Sequence, residues 1–206
     1  MRKRLIKTLL LVTWLSGCAH TQTSFLVDVD SIAAGDSGKR VYVILPAKKD
    51  MVGGDLLFQE FAPYIKRALT ARGYREASSP EQAEIAVMLA YGIAGGEAGS
   101  ATEVHRDASG YVTGTSTEHV IRYARLIIVR AYDFKKYRDT KEEVQLWQTT
   151  IESIGSSNDL RRVFPILIAA SQPYLATNTS KKIRVTLTEE DHRVLAIKGV
   201  SASGQK

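Results

Sequence analysis

Glu84-Ile85-Ala86-Val87-Met88-Leu89-Ala90-Tyr91-Gly92-Ile93 is an almost unbroken apolar run. In an extended chain Ile85, Val87, Leu89 and Tyr91 point one way and Ala86, Met88 and Ala90 the other. The run therefore predicts a strand covered on both faces. Upstream, Arg40 to Leu45 (RVYVIL) predicts a second strand, ended by Pro46. Between the two, Asp55 is placed to cap a helix. On that helix Leu57, Phe61, Ile65, Ala68 and Leu69 share one side, and Gln59, Glu60, Lys66 and Arg67 the other. Gly73 stands where a helix ends, and Pro63 predicts a kink or a delayed start. Strand, helix and strand in this order predict a right-handed crossover that sets 40–45 parallel to 84–93.

Phe25 to Asp30 alternates apolar and polar residues and predicts an edge strand. The stretch 92–117 is rich in Gly, Ser, Thr and Ala, and predicts a long mobile loop or strand ends reaching past the sheet. His119 to Phe134 and Val144 to Ile154 predict an antiparallel pair joined by the charged turn Lys135 to Glu143. Ser157 or Asn158 is placed to cap a second helix, with Leu160, Val163, Phe164, Leu167 and Ala170 as its buried stripe. Lys182 to Leu187 and Val194 to Ile197 predict a closing hairpin around Glu189-Glu190-Asp191. The expected fold class is α+β: a single mixed or antiparallel sheet of about five to six strands, with two helices packed on one face.

The chain begins with the cationic residues Arg2, Lys3, Arg4 and Lys7. Leu9, Leu10, Leu11, Val12, Trp14 and Leu15 follow, then Ser16-Gly17-Cys18. A charged head, a short apolar core and a small-residue close make a secretory signal. An apolar core of about eight residues falls short of the roughly 20 that a membrane-spanning helix needs. Leu15-Ser16-Gly17-Cys18 resembles the bacterial lipobox. That resemblance implies cleavage before Cys18, acyl chains on its thiol and new amino terminus, and a membrane as the first partner. Ala19, where an aspartate would favour retention in the inner membrane, implies the periplasmic face of the outer membrane. The expected organisation is a signal over 1–17, a lipidated cysteine and tether over 18–24, one α+β domain over 25–200, and a disordered tail over 201–206.

The signal carries four of the 28 basic residues and none of the 22 acidic ones, so the formal charge of +6 falls to +2 without it. The basic isoelectric point belongs mostly to the signal, and nucleic acid is not an expected partner. Cys18 is the only cysteine of the 206 residues, which excludes a disulfide within one chain.

The pieces Val27-Asp28-Val29-Asp30, Tyr42 to Leu45-Pro46, Leu69 to Gly73-Tyr74, Ala83-Glu84 and Tyr132-Asp133 leading through a basic turn to Leu146-Trp147 stand in a recognisable order. Over residues 25–188 that order resembles the bacterial lipoproteins grouped as the DUF4136 family, a domain of unknown function. It is also similar to other small envelope lipoproteins, including the one that assists lipopolysaccharide assembly. Glu84 departs from the aspartate usual there, and the glycine loop is thin in aromatic residues. The family assigns no catalytic residue, so the resemblance implies none.

Gly35-Asp36-Ser37-Gly38 copies the nucleophile signature of trypsin-like proteases, but too little mature chain precedes Ser37 to carry the histidine and aspartate that must come first. A turn is the better reading. With Lys39 it also fails as a phosphate loop, because it precedes a strand instead of following one. Gly92, Gly95, Gly96 and Gly99 lack dinucleotide-loop spacing. His20, His105, His119 and His192 have no partner at ligand spacing, so no metal and no cofactor are expected. Two basic sets are candidate contacts for an anionic lipid or glycan: Arg122 with Arg130, on one strand face opposite Arg125, and Lys135, Lys136 and Arg138 with Lys141 on the turn. Trp147 reads as core. The expected function is a non-enzymatic binding or scaffolding module of the cell envelope, working on another envelope protein or on an anionic lipid or glycan. An accessory of lipid or lipopolysaccharide transport is the alternative, and an envelope hydrolase the third.

Overall fold

The computed structural model describes residues 23–36, 38–47 and 55–200. The signal, Cys18 with residues 19–22 of its tether, Ser37 and the tail from Ser201 lie outside the described residues, and Ser24, the last residue of the expected tether, opens β1. In chain order the elements are β1 (Ser24–Ala33), β2 (Val41–Pro46), α1 (Leu56–Ala71), β3 (Arg75–Glu76), β4 (Ile85–Ile93), β5 (Glu97–Arg106), β6 (Val112–Asp133), α2 (Phe134–Thr140), β7 (Gln145–Gly155), α3 (Leu160–Ser171), β8 (Ile183–Thr188) and α4 (His192–Lys198). The strands form one mixed sheet in the order β3-β2-β4-β6-β7-β1-β8, with β5 added on β6. β2 and β4 are parallel, Tyr42 opposite Ile85 through Pro46 opposite Leu89, with α1 in the connection, as the apolar runs require.

The expected sheet of five to six strands with two helices on one face is incorrect. The sheet has eight strands, and the described chain four helices. The first difference comes from 92–117. The chain turns over Asp107–Gly110 and pairs back on itself from Glu97 opposite Arg122 to Arg106 opposite Val112. Strand ends therefore reach past the sheet, and backbone bonds hold a stretch that has no apolar face to announce it. The second difference is the charged turn, which is the helix α2. The Asp133 carboxylate accepts the Lys136 N–H at 2.9 Å, and Lys141 closes the helix in the left-handed region at φ 62°. The third is α4, which replaces the second arm of the closing hairpin. Asp191 caps it, Gly199 ends it at φ 76°, and the buried Val194 and Ile197 are three residues apart, a helical spacing. β1 is not an edge strand either: β7 and β8 flank it. The α3 cap is Asp159, not Ser157 or Asn158.

The core lies on one side of the sheet. Val27 and Val29, Ile85, Val87 and Leu89, Ile127 and Val129, and Ile151 are fully buried there beneath α1, α3 and α4. Asp55 caps α1 by accepting the N–H groups of Leu57 and Phe58, and Pro63 stays inside the helix on an exposed position without delaying its start. Phe61 of α1 stacks on Phe164 of α3 with centroids 4.0 Å apart, and Tyr91 meets Phe61 edge-on at 4.9 Å. Trp147 is buried, but not against those rings. It sits towards the end of the sheet where β2 begins, with Tyr74 as its aromatic neighbour at 6.4 Å.

The opposite face is largely open. Helix α2 covers one corner, leaving an apolar groove of about 310 Å³ among Leu45, Met88, Tyr132 and Tyr137. Elsewhere Leu26, Ile32, Leu126 and Ile154 are exposed. The double covering expected of residues 84–93 is thus met by helices on one face and only by α2 on the other.

Candidate functional site

Three chain ends meet at one edge of the core. β1 finishes at Ala33, β2 starts just after Arg40, and α1 runs out through Arg72 to Tyr74. With Trp147 at the start of β7 and the turn 176–178, they enclose a pocket of about 330 Å³.

Each wall has a local cause. The Glu84 carboxylate accepts the N–H groups of Arg40 and Val41 at 3.2 and 3.1 Å, fixing the first residues of β2 beside β4. Gly73, at φ 81°, turns the chain out of α1, and Tyr74 N–H returns to the Leu69 carbonyl at 3.0 Å. Thr179 is stitched to Ser31 of β1 by three bonds between their N–H, carbonyl and hydroxyl groups. That ties down the turn before it, where Ala176 stands in the left-handed region at φ 57°. A non-glycine residue held there stores about 1 kcal/mol or more of strain, which the surrounding structure must offset.

The chemistry is that of a cationic, aromatic recess. The Arg40 guanidinium lies 5.1 Å over the Tyr74 ring and grips Asp36 at 2.8 and 3.0 Å. The Gly38 N–H, and then Arg40, hold the Asp36 carboxyl below the usual carboxylate range. Burial raises the Tyr74 phenol, against the pull of Arg40 and of the neighbouring indole. Trp147 is 4% exposed, and its buried Nε1–H draws only on the Tyr74 hydroxyl and makes no hydrogen bond of ordinary geometry among the described residues. The Arg72 guanidinium is exposed at the rim and makes no ion pair among those residues. An indole N–H without a well-formed hydrogen bond and an unneutralised guanidinium are both donors. Such a recess favours a ligand that brings an acceptor, and above all an anionic one.

The residues singled out from sequence are not brought together. Arg122 lies exposed on the ribbon of β5 and β6, eight residues along the strand from Arg130. Arg130 is on the open sheet face and donates to Gln148 at 2.7 Å. Lys135 pairs with Asp139 at 2.8 Å and Lys136 with Glu142 at 2.9 Å. Arg138 donates to the Pro80 carbonyl at 2.6 Å and covers the Phe134 ring. Lys135 and Lys136 face carboxylates, whereas Arg130 and Arg138 donate to neutral oxygens and keep their charge, and Arg122 makes no ion pair among the described residues. Arg125 points to the other face as expected, and there it is buried. Its guanidinium donates to the Ser157 carbonyl at 3.1 and 2.5 Å, and burial pulls its pKa down. Gly155 makes this possible, because a Cβ there would stand 2.9 Å from the guanidinium. Cys18 lies outside the described residues.

Sequence reasoning missed Arg40, Arg72 and Tyr74. The one local signal was the four-residue spacing of Asp36 and Arg40. Among the described residues no group of three or more His, Cys, Asp or Glu is placed to hold a metal ion, and no helix is long and apolar enough to cross a membrane.

No family model matches the chain, and no curated protein does. Among solved structures it is similar to a PDZ domain protein from Parabacteroides distasonis, at 10% identity and a TM-score of 0.47. That match covers 81% of this chain and 39% of the other, and the likeness carries no conclusion about fold or activity.

Proposed function

We propose that the chain is a lipid-anchored envelope module that binds instead of catalysing, held to the periplasmic face of the outer membrane through acyl chains on Cys18. The buried Nε1–H of Trp147, without a well-formed hydrogen bond in a pocket shared with Arg40 and Arg72, carries the binding half of this reading. Among the pocket residues Asp36 is the only carboxylate and is already bound to Arg40. A nucleophile with its base is what a hydrolase would need there. The ligand class this favours is a small acidic group, free or displayed on an envelope polymer or protein. The Leu15-Ser16-Gly17-Cys18 sequence carries the anchoring half, and the resemblance to DUF4136 lipoproteins agrees with it.

Two measurements separate the halves. Acylation at a single cysteine by two or more chains holds a protein on a membrane, at about 0.8 kcal/mol per buried methylene. Cys18→Ala is therefore expected to shift the chain out of the outer-membrane fraction or leave an uncut precursor. Unaltered mature protein in that fraction would count against the anchor. For binding, Trp147 is the one tryptophan left after residues 1–17 are removed. Its emission is expected to respond saturably to N-acetylglycine or inorganic phosphate, and to lose that response in Arg72→Ala. A flat titration with both probes would remove the pocket from the proposal.

A transport accessory is favoured by one observation, the open sheet face with Leu26, Leu126 and Ile154 exposed. Lipid bound to protein isolated in mild detergent, seen by mass spectrometry, would move the proposal towards it.

A further inference from the structure

β6 is 22 residues long, and its two halves live in different surroundings. From Arg125 to Asp133 it is flanked by β4 and β7. From Val112 to Arg122 only β5 accompanies it, so the pair leaves the sheet as a two-stranded arm. The arm leaves at the end where β4 stops at Ile93, beside Arg125, and β7 stops at Gly155, beside Tyr123. β1 starts at that same end, since it runs from Ser24 through Asp28, opposite Glu152, to Ala33, opposite Trp147. Arm and amino-terminal tether therefore depart together, and the pocket of Arg40, Tyr74 and Trp147 lies at the other end of the sheet. From Thr23 back to Cys18 is five residue steps, at most about 18 Å of chain. From Arg122 to Val112 is ten steps of strand, about 33 Å. The arm is longer than the tether.

We propose that the arm lies against the phospholipid bilayer that holds the acyl chains of Cys18, as a second membrane contact. This contact rests on the acylation of Cys18 proposed above. Hung by the shorter tether with that end towards the membrane, the domain brings the longer arm onto the bilayer. The two faces of the arm differ. Cross-strand pairing puts Glu97, Glu103, Glu118 and Arg122 on one face. From Ala98 to Val104 the other carries Ala98, Ser100, Thr102, Val104 and Ile121, with His119 as its one titratable side chain. The tip exposes Val104, Tyr111 and Val112. Beside them Arg106 donates to the Gly110 carbonyl at 3.0 Å and keeps its charge, while the Asp107 carboxylate is occupied by the N–H groups of Ser109 and Tyr111. A tyrosine ring and a cation are suited to the headgroup layer of a membrane. Leu26, Ile93, Leu126 and Ile154 add exposed apolar surface where the arm joins the sheet. Among the described residues no strand pairs the outer edge of β5, and unpaired backbone groups cannot enter hydrocarbon. The arm therefore rests at headgroup depth, and only side chains of its tip reach the acyl region. Two attachments fix an orientation that one tether leaves free, and they hold the pocket away from the membrane.

The test uses the full acylated chain incorporated into vesicles of phosphatidylethanolamine and phosphatidylglycerol. Cys18 is the only cysteine and its thiol carries lipid, so a single added cysteine alone takes an environment-sensitive dye. Glu103→Cys and Val104→Cys are neighbours on opposite faces of the arm, and both positions are exposed, as is that of Val112→Cys at the tip. Dyes at 104 and 112 are expected to shift to the blue on vesicles and to be quenched by lipids carrying a nitroxide near the headgroup. The dye at 103 is expected to keep the emission it has in water, with native Trp147 emission in all three variants. Equal signals at 103 and 104, or a dye at 112 that stays in water, overturns the contact and leaves the arm free for a protein partner. Intact mass separates this failure from that of the anchor. A chain without acyl mass removes the anchor and the contact built on it, whereas an acylated chain with wet dyes removes the contact alone.

Discussion

Tyr42 is wholly buried at the start of β2, and its hydroxyl has no hydrogen-bond partner among the described residues. Leaving a buried polar atom unpaired is destabilising, so Tyr42→Phe is expected to leave stability unchanged or raise it by about 1 kcal/mol in urea unfolding. Burial, with Glu76 adding to it, pushes the Tyr42 phenol up to about 12. In the unfolded chain it would release its proton near its ordinary value of about 10. The raised folded value gives stability that is complete below about pH 10 and lost as pH climbs towards 12. The slope from this group is about 1.4 kcal/mol per pH unit, measurable as the pH dependence of the urea midpoint and absent in Tyr42→Phe. Trp147 sets the complementary case. Trp147→Ala is expected to cost about 3–5 kcal/mol, the range for a buried ring. Trp147→Phe keeps a ring while deleting the poorly partnered N–H, and is expected to cost much less while weakening any anion response of the pocket. Unfolding curves of the two variants separate packing from polarity. Trp147 was legible in the sequence as core. Its company was not, because Tyr74, Arg40 and Arg72 come from elements distant in the chain and nothing local links them.

At the scale of elements, what could be read was whatever had an apolar face with a clear period. β2, β4, α1 and α3 stood out for that reason, and the parallel pairing of β2 with β4 followed from their order. The two short helices did not, because each is made by its caps. Asp133 and Asp191 accept N–H groups at the starts, and the left-handed Lys141 at one end leaves no mark in composition. Pro63 is the opposite case, a breaker that tertiary packing overrides. It lacks the N–H of an interior position yet sits within sixteen helical residues. Pro63→Ala is expected to stabilise the chain, by up to about 3 kcal/mol, readable as a rise in melting temperature. The ribbon of β5 and β6 hid because its small polar side chains look like loop. Its amides are expected to exchange with solvent well before those of β4 and of β6 beyond Arg125, since it has no packed face. Equal protection in both halves would mean that something covers the ribbon.

Over the whole molecule, the sheet outgrew its expected size through strands whose residues carry little apolar signal. One open face, one covered face and an arm give the domain three distinct surfaces, of which only the covered one was visible from hydrophobic pattern. The proposed anchor adds direction. β1, the strand nearest Cys18 in sequence, lies between β7 and β8, Asp28 opposite Glu152 on one side and Arg184 on the other. A pull on β1 along its own axis would load both ladders together in shear, so many hydrogen bonds must yield at once. Had the tethered strand stood at the rim, its bonds would have peeled apart in succession. Under the proposed anchoring, tension between membrane and bound partner would be borne by the body of the sheet.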